Sequence, residues 1–383
     1  MIPERLEMIR RLVAIPSMSS ARTDWDRPNR PVAQTYAQWL EDAGFRVELV
    51  PVHGPSSGKV NVIATKGRGA SGLVLAGHTD TVPYDETSWE QDPFELSVRD
   101  GRAYGLGTSD MKAFLAIALE AAAGFSVASL THALTLVATA DEESTMEGAA
   151  TLAALGRPVA TRAVIGEPTD SRPVVGHKGI AMEVVEVRGR TAHASNPALG
   201  NNAIDGMHRV LSALMRWRAE LAERYSNTSF EVPNPTLNFG MIRGGDVPNR
   251  VCGRCELHLE VRPLPGMALP ELRIELGRRV ADALAGTGLE HSVHSMFRGV
   301  PAYACPKDSP LVRAACELSG FEPSLAAFGT EAPFFAELGM QVLIMGPGKI
   351  ALAHQPNEYV ELAALEDSLR QVRGLIGRFC EAS

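Results

Sequence analysis

Cysteine is scarce in this chain, and its count is odd. Five cysteines in 383 residues are not the framework of a small disulfide-stapled secreted domain. Cys252 and Cys255 form a CxxC, but the second pair that a zinc ribbon needs is lacking. The residues from 251 to 261 alternate as a strand, with Leu257, Leu259 and Val261 on one face, so both cysteines read as small buried residues. No apolar run approaches the ~20 residues of a membrane-spanning helix. Near the N-terminus, Leu6, Ile9, Leu12 and Val13 fall at helical spacing between charges, which predicts an amphipathic helix and not a signal peptide. No basic block interrupts a formal charge of -8, so neither nucleic acid nor a membrane is an expected partner. A small cation-bearing molecule suits that charge better than an acidic polymer. The stretch GRAYGLG at 101–107 lacks the GxGxxG or P-loop spacing of a nucleotide loop and reads as a positioning turn. Internal repeats and low-complexity tracts are absent, and the expected location is the cytoplasm.

What is present is enough material for two domains. The composition, 45% hydrophobic and 21% charged, is that of a globular protein. Strands are predicted over 44–50, 60–64, 73–76, 133–139 and 164–165, with helices over 111–123 and 147–155. Continuous apolar strands alternating with helices imply an α/β fold: a mostly parallel sheet covered by helices. From about residue 179 the pattern changes. Residues 180–187 alternate as an exposed-face strand, a helix follows over 202–221, strands over 236–240 and 255–261, and a helix over 269–284. That order predicts an inserted α+β domain with an antiparallel sheet. Helices over 310–318 and 362–379 and a buried strand over 342–345 return to the first pattern. The expected division is a catalytic domain over 1–178 and 292–383, with an inserted dimerisation or lid domain over 179–291.

Residues that carry chemistry cluster where apolar elements end. His78 and Asp80 follow the 73–76 strand, Asp110 precedes a buried helix, Glu142 and Glu143 end the 133–139 strand, Glu167 follows 164–165, and His354 lies in a late turn. Ligands of parallel sheets gather beyond the carboxyl ends of the strands, which is where most of these fall. Singly each has an ordinary explanation. An Asp before a helix is commonly an N-cap, and a Glu-Glu pair at a strand end is commonly solvated. Together they suit two-metal hydrolysis, which needs a bridging carboxylate, terminal ligands for each ion and a base for the attacking water. Asp110 suits the bridge, His78 and His354 the imidazole ligands, and Glu143 and Glu167 the remaining ligands. Glu142 suits the base, and Asp80 can orient the His78 ring.

The segments GHTDTVP (77–83), YGLGTSDMK (104–112), ATADEES (138–144) and IGEPT (165–169) resemble the di-zinc amidohydrolases, a superfamily of deacetylases, desuccinylases, aminoacylases, dipeptidases and carboxypeptidases. The match runs in order over nearly the whole chain. HKG (177–179), GGDVPNRVC (244–252), RPLPGM (262–267), GTEAPFF (329–335), GPG (346–348) and AHQPNEYV (353–360) are most similar to the acetylornithine-deacetylase branch. Ser109 and Ala113 depart from the Ala and Gly common around the bridging Asp, both small changes.

The resemblance implies the same ligand set, His78, Asp110, Glu143, Glu167 and His354, for two divalent ions, zinc or alternatively cobalt. It implies Glu142 as base, Asp80 behind His78, and His193 as a donor to the scissile carbonyl. It further implies Asn249 and Arg262 as grips on a substrate carboxylate, and a homodimer formed through the inserted domain. The implied substrate is a small N-acyl amino acid, N-acetylornithine first, with N-acetylcitrulline, N-succinyl or general N-acetyl amino acids as alternatives. Thr330 and Glu331 are the expected contacts for a cationic side chain, Glu331 by pairing with its ammonium; a helix-start carboxylate is the competing reading of Glu331.

Overall fold

The structure is a computed structural model that describes residues 2–56, 58–69 and 72–381. Its contacts divide the chain into two compact units. The first comprises Met1–Gly176, Cys305–Ser324 and Thr330–Ser383, and the second His177–Ala304 with Leu325–Gly329. The insertion expected from the sequence is therefore longer at its C-terminal end than residue 291. A boundary there falls inside a strand, Glu290–Ser295, that pairs antiparallel with Ala181–Arg188 and belongs to the second unit's sheet.

In the first unit four strands run parallel side by side: Leu134–Thr139, Leu73–His78, Arg162–Ile165 and Gln341–Ile344. Every residue of the first two is buried, as an apolar run covered on both faces requires. Antiparallel strands flank this core, with Val60–Lys66 beside Leu134–Thr139 and Arg46–Pro51 outside it. The sheet is thus parallel at its centre and antiparallel at its margins. Helix Lys112–Ala123, almost wholly buried, packs against Leu362–Cys380 and Arg5–Val13. A small three-stranded sheet pairs Tyr359–Glu361 with Arg102–Tyr104, and that strand with Ser97–Arg99. This pairing sets the chain after Tyr104 beside the chain before Tyr359.

The second unit is a four-stranded antiparallel sheet in which Ala181–Arg188 lies between Arg254–Arg262 and Glu290–Ser295, with Thr236–Gly244 on the far edge. Helices Ala203–Arg224 and Leu269–Leu284 supply Met207, Val210, Leu214, Leu276 and Val280 to its core. Ala181–Arg188 is not the exposed-face strand that its alternation suggests. It is central, and its buried carboxylates Glu183 and Glu186 are paired with Arg273 and Arg254. Cys252 and Cys255 are buried in the same core as free thiols, as the alternation predicts.

Candidate active site and metal centre

The site of the first unit is assembled where the four parallel strands end. His78 is the last residue of its strand, in register with Thr139 of the next, while Glu142–Glu143 and Glu167 lie in the turns just after their strands. Local sequence explains the turns. Gly166 leaves room for the Phe114 ring, since a Cβ there would sit 1.9 Å from Phe114 Cγ, and this packing holds the turn that presents Glu167. Asp141 adopts a left-handed conformation before Glu142. Its buried carboxylate is held by Lys59 Nζ at 2.6 Å and by the hydroxyls of Ser19, Ser56 and Thr145. Lys59 also reaches Asp26 at 2.7 Å, so a buried ion pair anchors the segment that carries both glutamates.

The ligand-type side chains converge. His78 Nε2 lies 3.1 Å from Asp110 Oδ1, and His354 Nε2 lies 3.3 Å from Asp110 Oδ2 and 3.0 Å from Glu143 Oε2. Asp110 therefore sits between the two imidazoles, one on each carboxylate oxygen. Two overlapping groups, His78 with Asp110 and Glu143, and His78 with Glu142 and Glu167, bring one donor atom from each member within 4.8 Å of one another. Asp110 follows the turn Gly105–Ser109 and is joined to Met111 by a cis peptide bond. His354 is half exposed and adopts a left-handed backbone.

Asp80 behaves differently from the sequence expectation. His78 Nδ1 bonds the Asp80 backbone carbonyl at 3.0 Å, while the Asp80 carboxylate stands 3.8 Å away. That carboxylate accepts the Glu143 backbone N–H at 3.1 Å, so Asp80 orients the ring through its main chain and the Glu143 segment through its side chain. The Nδ1–H bond to the Asp80 carbonyl fixes the His78 tautomer with Nε2 facing the cluster.

The electrostatics are those of a site short of positive charge. Burial, with Glu167 and Glu143 nearby, pushes the Glu142 carboxyl well above its ordinary value. Burial and Asp110 do the same to Glu167. Burial alone lowers the His78 pKa, but the bond to Asp110 and the neighbouring carboxylates outweigh it and hold His78 well above the usual histidine range. His354 is raised to about 10 by its bonds to Asp110 and Glu143. Asp110 is raised by burial and lowered more by His354 and His78, so it stays well below the usual carboxylate range. The buried Glu167 Oε1 and Asp80 Oδ1 have no hydrogen-bond partner. Such orphaned acceptors, surrounded by more carboxylates than cations, fit divalent ions bound by an oxygen-and-imidazole donor set.

Thr330 and Glu331 are both fully buried in the first unit. The Thr330 hydroxyl accepts the Ala332 N–H at 3.1 Å, and Glu331 Oε2 accepts the Thr139 hydroxyl at 2.8 Å. Glu331 does stand at a helix start, though its side chain makes no capping bond. Burial raises its pKa to about 7. The group is enclosed beside the strand end, with Oε1 buried and without a hydrogen-bond partner. In the second unit His193 is exposed with Nδ1 2.7 Å from Ser195 Oγ. The Ala194 N–H donates to the Asn249 carbonyl at 2.9 Å, so the loops bearing His193 and Asn249 are neighbours. Arg262 is engaged by Glu260 at 2.6 Å and by the Ala327 carbonyl at 3.2 Å.

Two groups of the first unit escaped the sequence reading. Lys112 is fully buried, its Nζ bonded to the carbonyls of Leu12 at 2.9 Å and Ile15 at 3.0 Å, and burial lowers its pKa to about 7. Glu358 is 2% exposed and accepts three backbone N–H groups of the Asp110 turn. A carboxylate four residues after a candidate ligand histidine was the available signal.

Comparison with known proteins agrees with this geometry. The Peptidase family M20/M25/M40 profile matches residues 74–378. An acetylornithine deacetylase of Pasteurella multocida is 41% identical over 379 residues, covering 99% of both chains. The M20 family metallo-carboxypeptidase Sso-CP2 of Sulfolobus solfataricus superposes with a TM-score of 0.77 at 19% identity, covering 98% of this chain and 99% of that one. A dinuclear metal binding M20 peptidase of Bacillus subtilis gives 0.66 at 16% identity, covering 97% and 96%. With its ligand-type residues converging at the strand ends and the family profile spanning most of its length, the chain belongs to peptidase family M20/M25/M40.

Proposed function

We propose that the chain is a metal-dependent hydrolase that removes the acetyl group of N2-acetyl-L-ornithine to give L-ornithine and acetate, a step of arginine biosynthesis. The observation that carries the reading is the Asp110 carboxylate held between His78 and His354, in a chain 41% identical over 99% of its length to an acetylornithine deacetylase. Asp110, Glu143 and His354 would hold one ion, and His78, Asp110 and Glu167 the other, with zinc as the expected metal and cobalt the alternative. Two bound ions would polarise the acetamide carbonyl and acidify the attacking water.

The chain's own groups do the rest. Glu142 is buried and raised in pKa, which suits a carboxylate that takes a proton from the attacking water and passes it to the leaving amine. His193 is assigned to the oxygen of the tetrahedral intermediate, and Asn249 and Arg262 to the substrate α-carboxylate. Their support is the resemblance of their segments to those of the deacetylases. Assembly as a homodimer is assigned to the second unit, whose sheet leaves two edge strands, Thr236–Gly244 and Glu290–Ser295, open to pairing. No helix among the described residues is long and apolar enough to cross a membrane. Five free cysteines support the cytoplasm as its location.

The reading is tested by hydrolysis of N-acetylornithine, N-acetylcitrulline, N-acetylmethionine and N-succinyl-diaminopimelate with metal-loaded enzyme and a chelated control. A preference for N-acetylornithine that disappears on chelation is expected. Preference for another of these substrates would retain the chemistry and reject the pathway.

A further inference from the structure

The bridging-ligand turn and the late histidine loop are joined by one side chain. Glu358 Oε1 accepts the N–H groups of Ser109 at 2.6 Å and Asp110 at 2.9 Å, and Oε2 accepts that of Gly107 at 2.9 Å. The Glu358 carbonyl accepts the Gly105 N–H at 3.0 Å, so the same residue grips the turn at both its ends. Two further ties reinforce it: Tyr359 pairs with Tyr104, and Ser109 Oγ accepts the Lys349 N–H at 3.0 Å. The carboxylate is 2% exposed, and its three hydrogen-bond donors are all main-chain amides, with the buried Lys112 acting on it only through space. Such an arrangement dictates a peptide conformation, because a carboxylate can accept from all three amides at once whereas a neutral carboxamide cannot.

We propose that Glu358 is a positioning residue that sets the Asp110 carboxylate against His354, so that the ion held by Asp110, Glu143 and His354 depends on it. The inference rests on the two-ion reading above. Its reach is specific. That ion draws two of its three ligands from the two loops that Glu358 joins, whereas the ion at His78 and Glu167 draws only Asp110 from them. His78 is fixed independently, by its strand register with Thr139 and by the Asp80 carbonyl.

Glu358→Gln keeps the shape of the side chain but turns an NH2 group toward at least one backbone N–H, replacing acceptance by a donor–donor contact. Calorimetric titration of the metal-free full-length protein with Zn2+ or Co2+ reads the consequence. Wild type is expected to take up two ions. In Glu358→Gln one step should weaken by about 10- to 100-fold, the usual range for loss of a group that orients metal ligands, with the other changed far less. Excess metal should restore most of kcat, with KM for N-acetylornithine little changed. Glu358→Asp, which keeps the charge and draws it back by one methylene, should show the same selective loss in smaller degree.

Unchanged affinities in either folded variant would overturn the proposal. Equal weakening of both steps, or failure of both variants to fold as judged by circular dichroism of the metal-free protein, would make Glu358 structural only and overturn it as well. Uptake of fewer than two ions by wild type would instead reject the two-ion reading itself, and the inference with it.

Discussion

His354 Nε2 stands 3.0 Å from Glu143 Oε2, although 211 residues separate the two in the chain. Nothing in either neighbourhood alone brings them together. The contact exists because the late loop is pinned to the Asp110 turn, and the Glu143 segment is pinned by Asp80 and Asp141.

Glu142→Gln is expected to lower kcat by about 10²- to 10⁴-fold, the usual contribution of a general acid–base group. Uptake of two ions should persist, because Glu142 is assigned to the proton and not to a metal. Steady-state kinetics beside metal analysis of the same sample checks this; loss of an ion in the variant would reassign Glu142 as a ligand.

The unmetallated cluster is expected to contribute less stability as pH rises, whereas Lys112, lowered to about 7, acts in the opposite sense above that pH. A folded-state histidine pKa raised to about 10 contributes stability that is full below the unfolded value near 6.5 and lost as pH rises toward 10. The raised carboxyls of Glu142 and Glu167 act in the same sense, costing little while protonated and more as pH climbs from about 4.5. Asp110 acts oppositely, with stability lost only as pH falls below its ordinary 3.8, outside this window. Metal uptake needs deprotonated ligands, so the holoenzyme should gain over the metal-free form with rising pH. Thermal melts from pH 5 to 9, with and without chelator, should therefore diverge; parallel curves would count against a cluster that titrates in this way.

Lys59→Met should destabilise the fold by about 3–5 kcal/mol, since it leaves the buried Asp141 carboxylate without its cation. Denaturant unfolding measures it. Asp141→Asn with Lys59→Met should recover part of the loss, which the hydroxyl donors Ser19, Ser56 and Thr145 alone would not explain.

His193→Ala should reduce kcat by about 10²- to 10³-fold, the effect of removing one donor to a tetrahedral oxyanion, with metal uptake unaltered. The residue is exposed, so its loss should leave the melting temperature unchanged. A fall in stability without a fall in kcat would remove it from the reaction.

The parallel core was legible because each strand is an apolar run too short for a helix and, at three of the four, stopped by a turn that bears a polar group. Glu290–Ser295 was not, because an exposed edge strand carries no apolar alternation to betray it. Ala181–Arg188 misled for a related reason. Its glutamates mimic a solvated face, and only the arginines of neighbouring elements, Arg273 and Arg254, make their burial tolerable. Within the site, His78, Asp110, Glu142, Glu143, Glu167 and His354 could be read from residue type at element ends. The split role of Asp80 could not, since its backbone and side chain serve different partners. Glu358 offered a signal in its place four residues after His354, but its role was not legible, since its three partners are main-chain amides.

The most direct test of the account is acetate release from N2-acetyl-L-ornithine by metal-free protein as Zn2+ or Co2+ is added in measured equivalents. Activity absent at the start and rising until two ions are bound per chain is the expected result. Full activity in the metal-free protein, or none at any loading, would contradict it.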